Sequence, residues 1–105
     1  EASSDADVRT LDLREIGLPM LEEPLMAALG QYAHAHARAW AAQVADADAV
    51  IFLTPQYNGG YPASLKNAID YLGAEWRGLP GAIVSYGGRG GPLAADQLAG
   101  GRRAA

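Results

Sequence analysis

The sequence predicts an α/β domain built on a doubly wound parallel sheet, and three observations predict it. The run "AVIFL" at 49–53 is apolar with no polar alternation, the habit of a strand covered on both faces in a parallel sheet. A loop rich in Pro, Gly, Asn and Tyr follows it, and a segment with helical spacing opens at Pro62. Beyond that helix a further apolar run, "GAIVSYGG", ends in another glycine loop. Together with the flanking segments the order reads β-α-β-α-β-(α).

Taken in order, "DVRTLDL" sets Val8, Thr10 and Asp12 against Arg9, Leu11 and Leu13, an imperfect period of two that favours a short strand. Gly17, Pro19 and Pro24 in "REIGLPMLEEP" break regular structure and predict a loop. From Leu25 and Leu29 onward apolar residues recur at helical spacing through Tyr32, Ala33, His36, Ala37, Trp40 and Val44, and with Gly30 interrupting the start, the helix is placed over 33–45. Asp46 and Asp48 occupy the turn before "AVIFL". After Pro62, Leu65, Ala68, Ile69 and Leu72 form one apolar stripe, Lys66 and Asp70 pair one turn apart on another face, and Gly73 supplies the stop. "GPLAADQLAG" starts a last helix that "GGRRAA" is not expected to carry far.

Composition bounds the function. With 105 residues, half of them hydrophobic, the chain makes at most one domain. A net charge of −4 and a pI near 4.9 argue against a nucleic-acid groove or an anionic membrane as partner. The absence of cysteine excludes disulfides, thiolate metal sites and thiol catalysis. No apolar run approaches the roughly 18 residues of a membrane span and no leader pattern is present, so a cytoplasmic location is expected.

Two loops, "TPQYNGGYP" and "SYGGRGGP", leave the carboxyl ends of what should be neighbouring parallel strands, where open α/β sheets bind ligands. Neither matches a phosphate-binding glycine fingerprint. They offer open backbone N–H and C=O groups with Tyr57, Asn58 and Tyr86, an inventory suited to a flat heteroaromatic ring. Neither contains His, Asp or Glu, so no catalytic acid or base is named. "YNGG" also fits a type I′ hairpin turn, against which stand the flanking Pro55 and Pro62 and the helical segment behind. His34 and His36 should face different ways on a helix and lack a third ligand, so no metal site is read there, and Asp46, Asp48 and Asp70 are too scattered for one. Trp40 and Trp76 read as packing residues, and Arg89 reads as a solvated arginine before a dinucleotide contact. Asn67 is open between a loop brace and a ligand contact.

The stretch "TPQYNGGYPASLKNAIDYLGAEWRGLPGAIVSYGGRGGPLAADQL" resembles the NADPH-dependent FMN reductase family of flavodoxin-like proteins, and "LPMLEEP…GQYAHAHARAW" is similar to the stretch preceding it there. The likeness runs from about Val8 to Leu98, and its pattern (T/S)PxYNxxxPxxLKNxxD is specific. The resemblance implies FMN held by the backbone around Pro55, Gln56, Tyr57 and Asn58, with Ser85, Tyr86, Gly87 and Gly88 on its other edge. It implies hydride transfer from NAD(P)H to the flavin and on to a small-molecule acceptor, in a homodimer or homotetramer. Where the family usually has Glu, often reaching across a subunit interface, this chain has Gln56.

By this likeness residues 1–105 form a single flavodoxin-like domain lacking the first strand and the C-terminal strand and helix. In a sheet of order 2-1-3-4-5 the absent strand would lie between "RTLDL" and "AVIFL", so the chain is expected to be a portion of a longer polypeptide. Three functions remain open: an FMN-dependent NAD(P)H oxidoreductase, an FMN-binding electron carrier, and a fragment or interaction module that no longer binds flavin.

Overall fold

The computed structural model describes residues 7–22 and 31–104. The expectations resting on Pro24, Leu25, Leu29 and Gly30 lie outside those residues. The chain runs through a four-residue helix α1 (Leu13–Ile16), helix α2 (Ala35–Ala45), strand β1 (Val50–Pro55), helix α3 (Ala63–Asp70), a 3-10 turn (Ala74–Trp76), strand β2 (Gly81–Tyr86) and helix α4 (Pro92–Ala104).

β1 and β2 pair in parallel, with Val50 opposite Gly81 and Pro55 opposite Tyr86, and α3 forms the crossover between them. Both apolar runs and the helix opened by Pro62 therefore form as expected. The expected strand in "DVRTLDL" does not. Asp12 accepts a hydrogen bond from Arg14 N–H and caps α1 within that segment, while Arg9 reaches Gln43 O at 2.9 Å and Asp46 at 3.3 Å. Its imperfect alternation gives no continuous apolar face, and an aspartate at an N-cap favours a helical turn over an unpaired strand. Among the described residues the sheet is thus β1 and β2 alone.

The core gathers Ala37, Trp40, Ala41 and Val44 of α2, Phe52 of β1, Ala68 of α3, then Tyr71, Leu72, Trp76 and Leu98. Both tryptophans pack and bond inside it: Trp40 Nε1 donates to Ala68 O and Trp76 Nε1 to Ile69 O, each at 2.9 Å. The expectation that "AVIFL" is covered on both faces fails among the described residues. Phe52 and Thr54 are buried, but Ile51 and Leu53 are 68% and 69% exposed, and Val84 beside Leu53 is 50% exposed. Without an element laid over that face, the continuous apolar run behaves as a half-buried strand with period two.

Two boundaries also differ. α3 stops at Asp70, and Gly73 instead precedes the 3-10 turn. α4 continues through the glycines to Ala104. On α3, Lys66 Nζ meets both Asp70 oxygens at 2.9 and 2.7 Å in an exposed pair one turn apart, as its spacing predicts.

Candidate functional site

The two bends emerge side by side from the carboxyl ends of β1 and β2. Gln56 N–H donates to Tyr86 O at 3.0 Å, extending the ladder one bond past Pro55. Beyond it the chain closes a two-residue turn: Tyr57 N–H donates to Gly60 O at 2.7 Å and Gly60 N–H returns to Tyr57 O at 3.0 Å. Asn58 and Gly59 at its tip have φ of 50° and 80°. Positive φ at both central positions is the type I′ signature, so Asn-Gly makes the hairpin turn that the flanking prolines argued against. The prolines prevail on either side, where no hairpin strands form and α3 begins at Ala63.

Residues 87–91 form the second bend, where Gly90 N–H donates to Gly87 O at 3.1 Å. It leads into α4 through a tight junction. Gly91 has φ +76°, and a Cβ there would lie 2.9 Å from Ser85 Cβ and 3.0 Å from Tyr86 N. A glycine N-cap followed by Pro92 leaves α4 without a capping side chain of its own. Gln56 supplies one from the neighbouring strand end, its Oε1 accepting from Leu93 N–H at 3.0 Å and Ala94 N–H at 3.1 Å. One turn along α4, Gln97 Oε1 accepts from Tyr61 N–H at 3.1 Å.

Of the residues the sequence singles out here, Tyr57, Asn58, Tyr86, Gly87 and Gly88 are exposed at one end of the sheet, and Pro55, Gln56 and Ser85 are half-buried beside them. Among the described residues, the N–H groups of Asn58, Gly87 and Gly88 have no hydrogen-bond partner within the chain. Gln56 has its N–H in the ladder and its side chain turned inward to cap α4. Ser85 Oγ points toward Gly90 O at 3.4 Å, inside the second bend. Sequence reasoning missed Gln97, because its partner, the Tyr61 N–H, lies 36 positions away and no local pattern signals their meeting.

The other candidates lie apart. Asn67 is a brace, its Oδ1 accepting from Leu21 N–H and its Nδ2 donating to Pro19 O, both at 2.9 Å, while Tyr71 Oη donates to the same carbonyl at 2.6 Å. His34 and His36 do not diverge: their rings stack at 5.2 Å because His34 sits before α2 in extended backbone. Among the described residues no cluster of three His, Asp or Glu surrounds them. Arg89 carries the only basic side chain of either bend and stands exposed. A recess of about 420 Å³ lies elsewhere, lined by Arg9, Asp12, Ile16, Trp40 and Gln43. Its arginine is already engaged with Gln43 O, and its Asp12 caps α1.

Comparison with known proteins converges on this frame. The family described as NADPH-dependent FMN reductase matches residues 1–99. The NAD(P)H-dependent FMN reductase of Schizosaccharomyces pombe is 50% identical over 94 residues, covering 88% of this chain and 47% of the relative. A 2-hydroxy-1,4-benzoquinone reductase of Burkholderia sp is 42% identical over 71 residues, covering 61% of this chain and 39% of the relative. Among solved structures, FerB, a flavoenzyme NAD(P)H:(acceptor) oxidoreductase from Paracoccus denitrificans, superposes with a TM-score of 0.69 at 29% identity, covering 85% of this chain and 51% of that one. The fold is flavodoxin-like α/β with a parallel sheet. The chain spans about half the length of the relatives it matches.

Proposed function

Because the chain belongs to the NADPH-dependent FMN reductase family, we propose that it serves an FMN-dependent NAD(P)H oxidoreductase that reduces a small acceptor such as a flavin, a quinone, an azo compound or a metal-type oxidant. The observation that carries this reading is the pair of exposed, glycine-bearing bends at the carboxyl end of one parallel strand pair.

The residues present fit a flavin ring. Free N–H groups at Asn58, Gly87 and Gly88 can donate to the carbonyl and nitrogen acceptors along such a ring's edge. Gly88 has open space where a Cβ would stand, so the backbone can come close to a planar ligand. Tyr57 and Tyr86, 61% and 53% exposed, offer aromatic surface beside it. When bound, FMN supplies the two-electron chemistry, accepting hydride from a nicotinamide and passing electrons to the acceptor. The chain's own part would be to hold the ring through the N–H groups of Asn58, Gly87 and Gly88 and the carbonyls of Pro55 and Gln56, with Tyr57, whose backbone is closed on Gly60, contributing its exposed ring. Ser85 and Tyr86 shape the other edge. The whole of residues 1–105 then acts as a single domain, and the working form is a cytoplasmic homodimer or homotetramer.

The test is NAD(P)H consumption by the purified chain with added FMN and a quinone. Steady oxidation that needs all components is the expected result. Flavin binding without turnover would leave an electron carrier, and absence of flavin binding would overturn the reading.

A further inference from the structure

We propose that Gln56 and Gln97 form a neutral two-amide clamp that fixes the spacing of the two bends, making them positioning residues for the flavin ring; this rests on the reading above. The first bend is attached to α4 at both ends. Gln56 Oε1 takes the N–H groups of Leu93 and Ala94 at 3.0 and 3.1 Å, and Gln97 Oε1 takes that of Tyr61 at 3.1 Å. Between those points, residues 57–60 are closed on themselves by the Tyr57–Gly60 pair of hydrogen bonds. The second bend runs straight into the same helix, so its position is set by α4 as well.

One close approach and two ordinary contact distances join the three parts. A Cβ on Gly60 would stand 2.6 Å from Gln97 Oε1, one on Gly59 would stand 3.6 Å from Leu93 Cδ1, and one on Gly87 would stand 3.6 Å from Gln56 Cβ. A cap contributed by the helix's own N-cap residue would hold α4 without touching the first bend. Here the N-cap is Gly91, so capping and loop positioning become one act. Neither glutamine presents its side-chain oxygen to the cleft, since both oxygens are spent on these N–H groups.

Two readouts on the 105-residue chain separate positioning from mere stability. FMN affinity is read by flavin fluorescence, and amide hydrogen exchange is read over residues 56–62 and 91–95. Gln56→Leu should weaken FMN binding about thirtyfold and Gln97→Leu about fivefold, as expected for losing two and one hydrogen bonds of roughly 1 kcal/mol each. Both bends should exchange faster in each variant. Gln56→Glu keeps an acceptor at the same reach and should bind FMN within about threefold of the parent. Parental FMN affinity in both leucine variants overturns the proposal even if their melting temperatures fall, because that is the behaviour of a purely structural contact. Should the parent chain itself bind no FMN, the flavin reading fails and the clamp is judged by exchange alone. Faster exchange in both bends then sustains it, and unchanged exchange overturns it. If Gln56→Leu does not fold, Gln97→Leu and Gln56→Glu carry the same comparison.

Discussion

Tyr32 donates its hydroxyl to Glu75 Oε1 at 2.7 Å and accepts Gly73 N–H at 3.2 Å, tying the entry of α2 to the 3-10 turn. Burial first, then the bond to the Glu75 carboxylate, raise the phenol from 10.0 to about 12, outweighing the opposing pull of Gly73 N–H and Arg77. The folded state therefore keeps this proton to higher pH than the unfolded chain does. Its contribution to stability is intact below pH 10.0 and is lost as pH rises toward about 12. Urea midpoints should fall more steeply across that window in the parent than in Tyr32→Phe, and parallel slopes would contradict the assignment. Single residues of this kind are the least legible level of the sequence. Asn67 is ambiguous in sequence because Pro19 and Leu21, its partners, lie 48 and 46 positions away, and no local pattern announces such a meeting. His34 shows the reverse error. It stands just before the helix, outside the helical period, so two rings expected apart are stacked.

The elements were more legible than the residues, and the reasons are local. Pro62 ahead of "ASLKNAID" marks the start of α3, and two apolar runs mark β1 and β2, each a signal carried by neighbouring residues. "DVRTLDL" misled because a period of two counts only where a neighbour completes the ladder, and Asp12 offered the helical alternative. The junction between β2 and α4 is an element-level feature with a sharp expectation. At Gly91 the φ of +76° and the approach to Ser85 Cβ and Tyr86 N leave no room for a methyl group. Backbone cannot yield as a flexible side chain can, so Gly91→Ala should lose about 2 kcal/mol or more in urea unfolding. Gly100, helical and with open space around it, should gain about 0.5–1 kcal/mol on the same change. Equal effects at the two positions would refute the packing account of Gly91.

At the scale of the whole molecule, Ile51, Leu53 and Val84 leave one face of the parallel pair without cover among the described residues. Contiguous apolar surface of that kind is uncommon on a monomer in water. The chain should therefore enhance the fluorescence of a hydrophobic dye or associate as its concentration rises. Leu53→Lys should reduce both while preserving the circular dichroism spectrum, and an unchanged response would show the face to be covered in solution. The parallel arrangement has a kinetic corollary as well. Val50–Pro55 and Gly81–Tyr86 cannot meet until residues 56–80 have collapsed between them, a long-range closure of the sort that sets folding times. Each bend can form alone, but the slot they share comes into being only at that closure. A molecule that fits the slot would leave the pairing step's speed unchanged and slow its reversal, lengthening the lifetime of the native state.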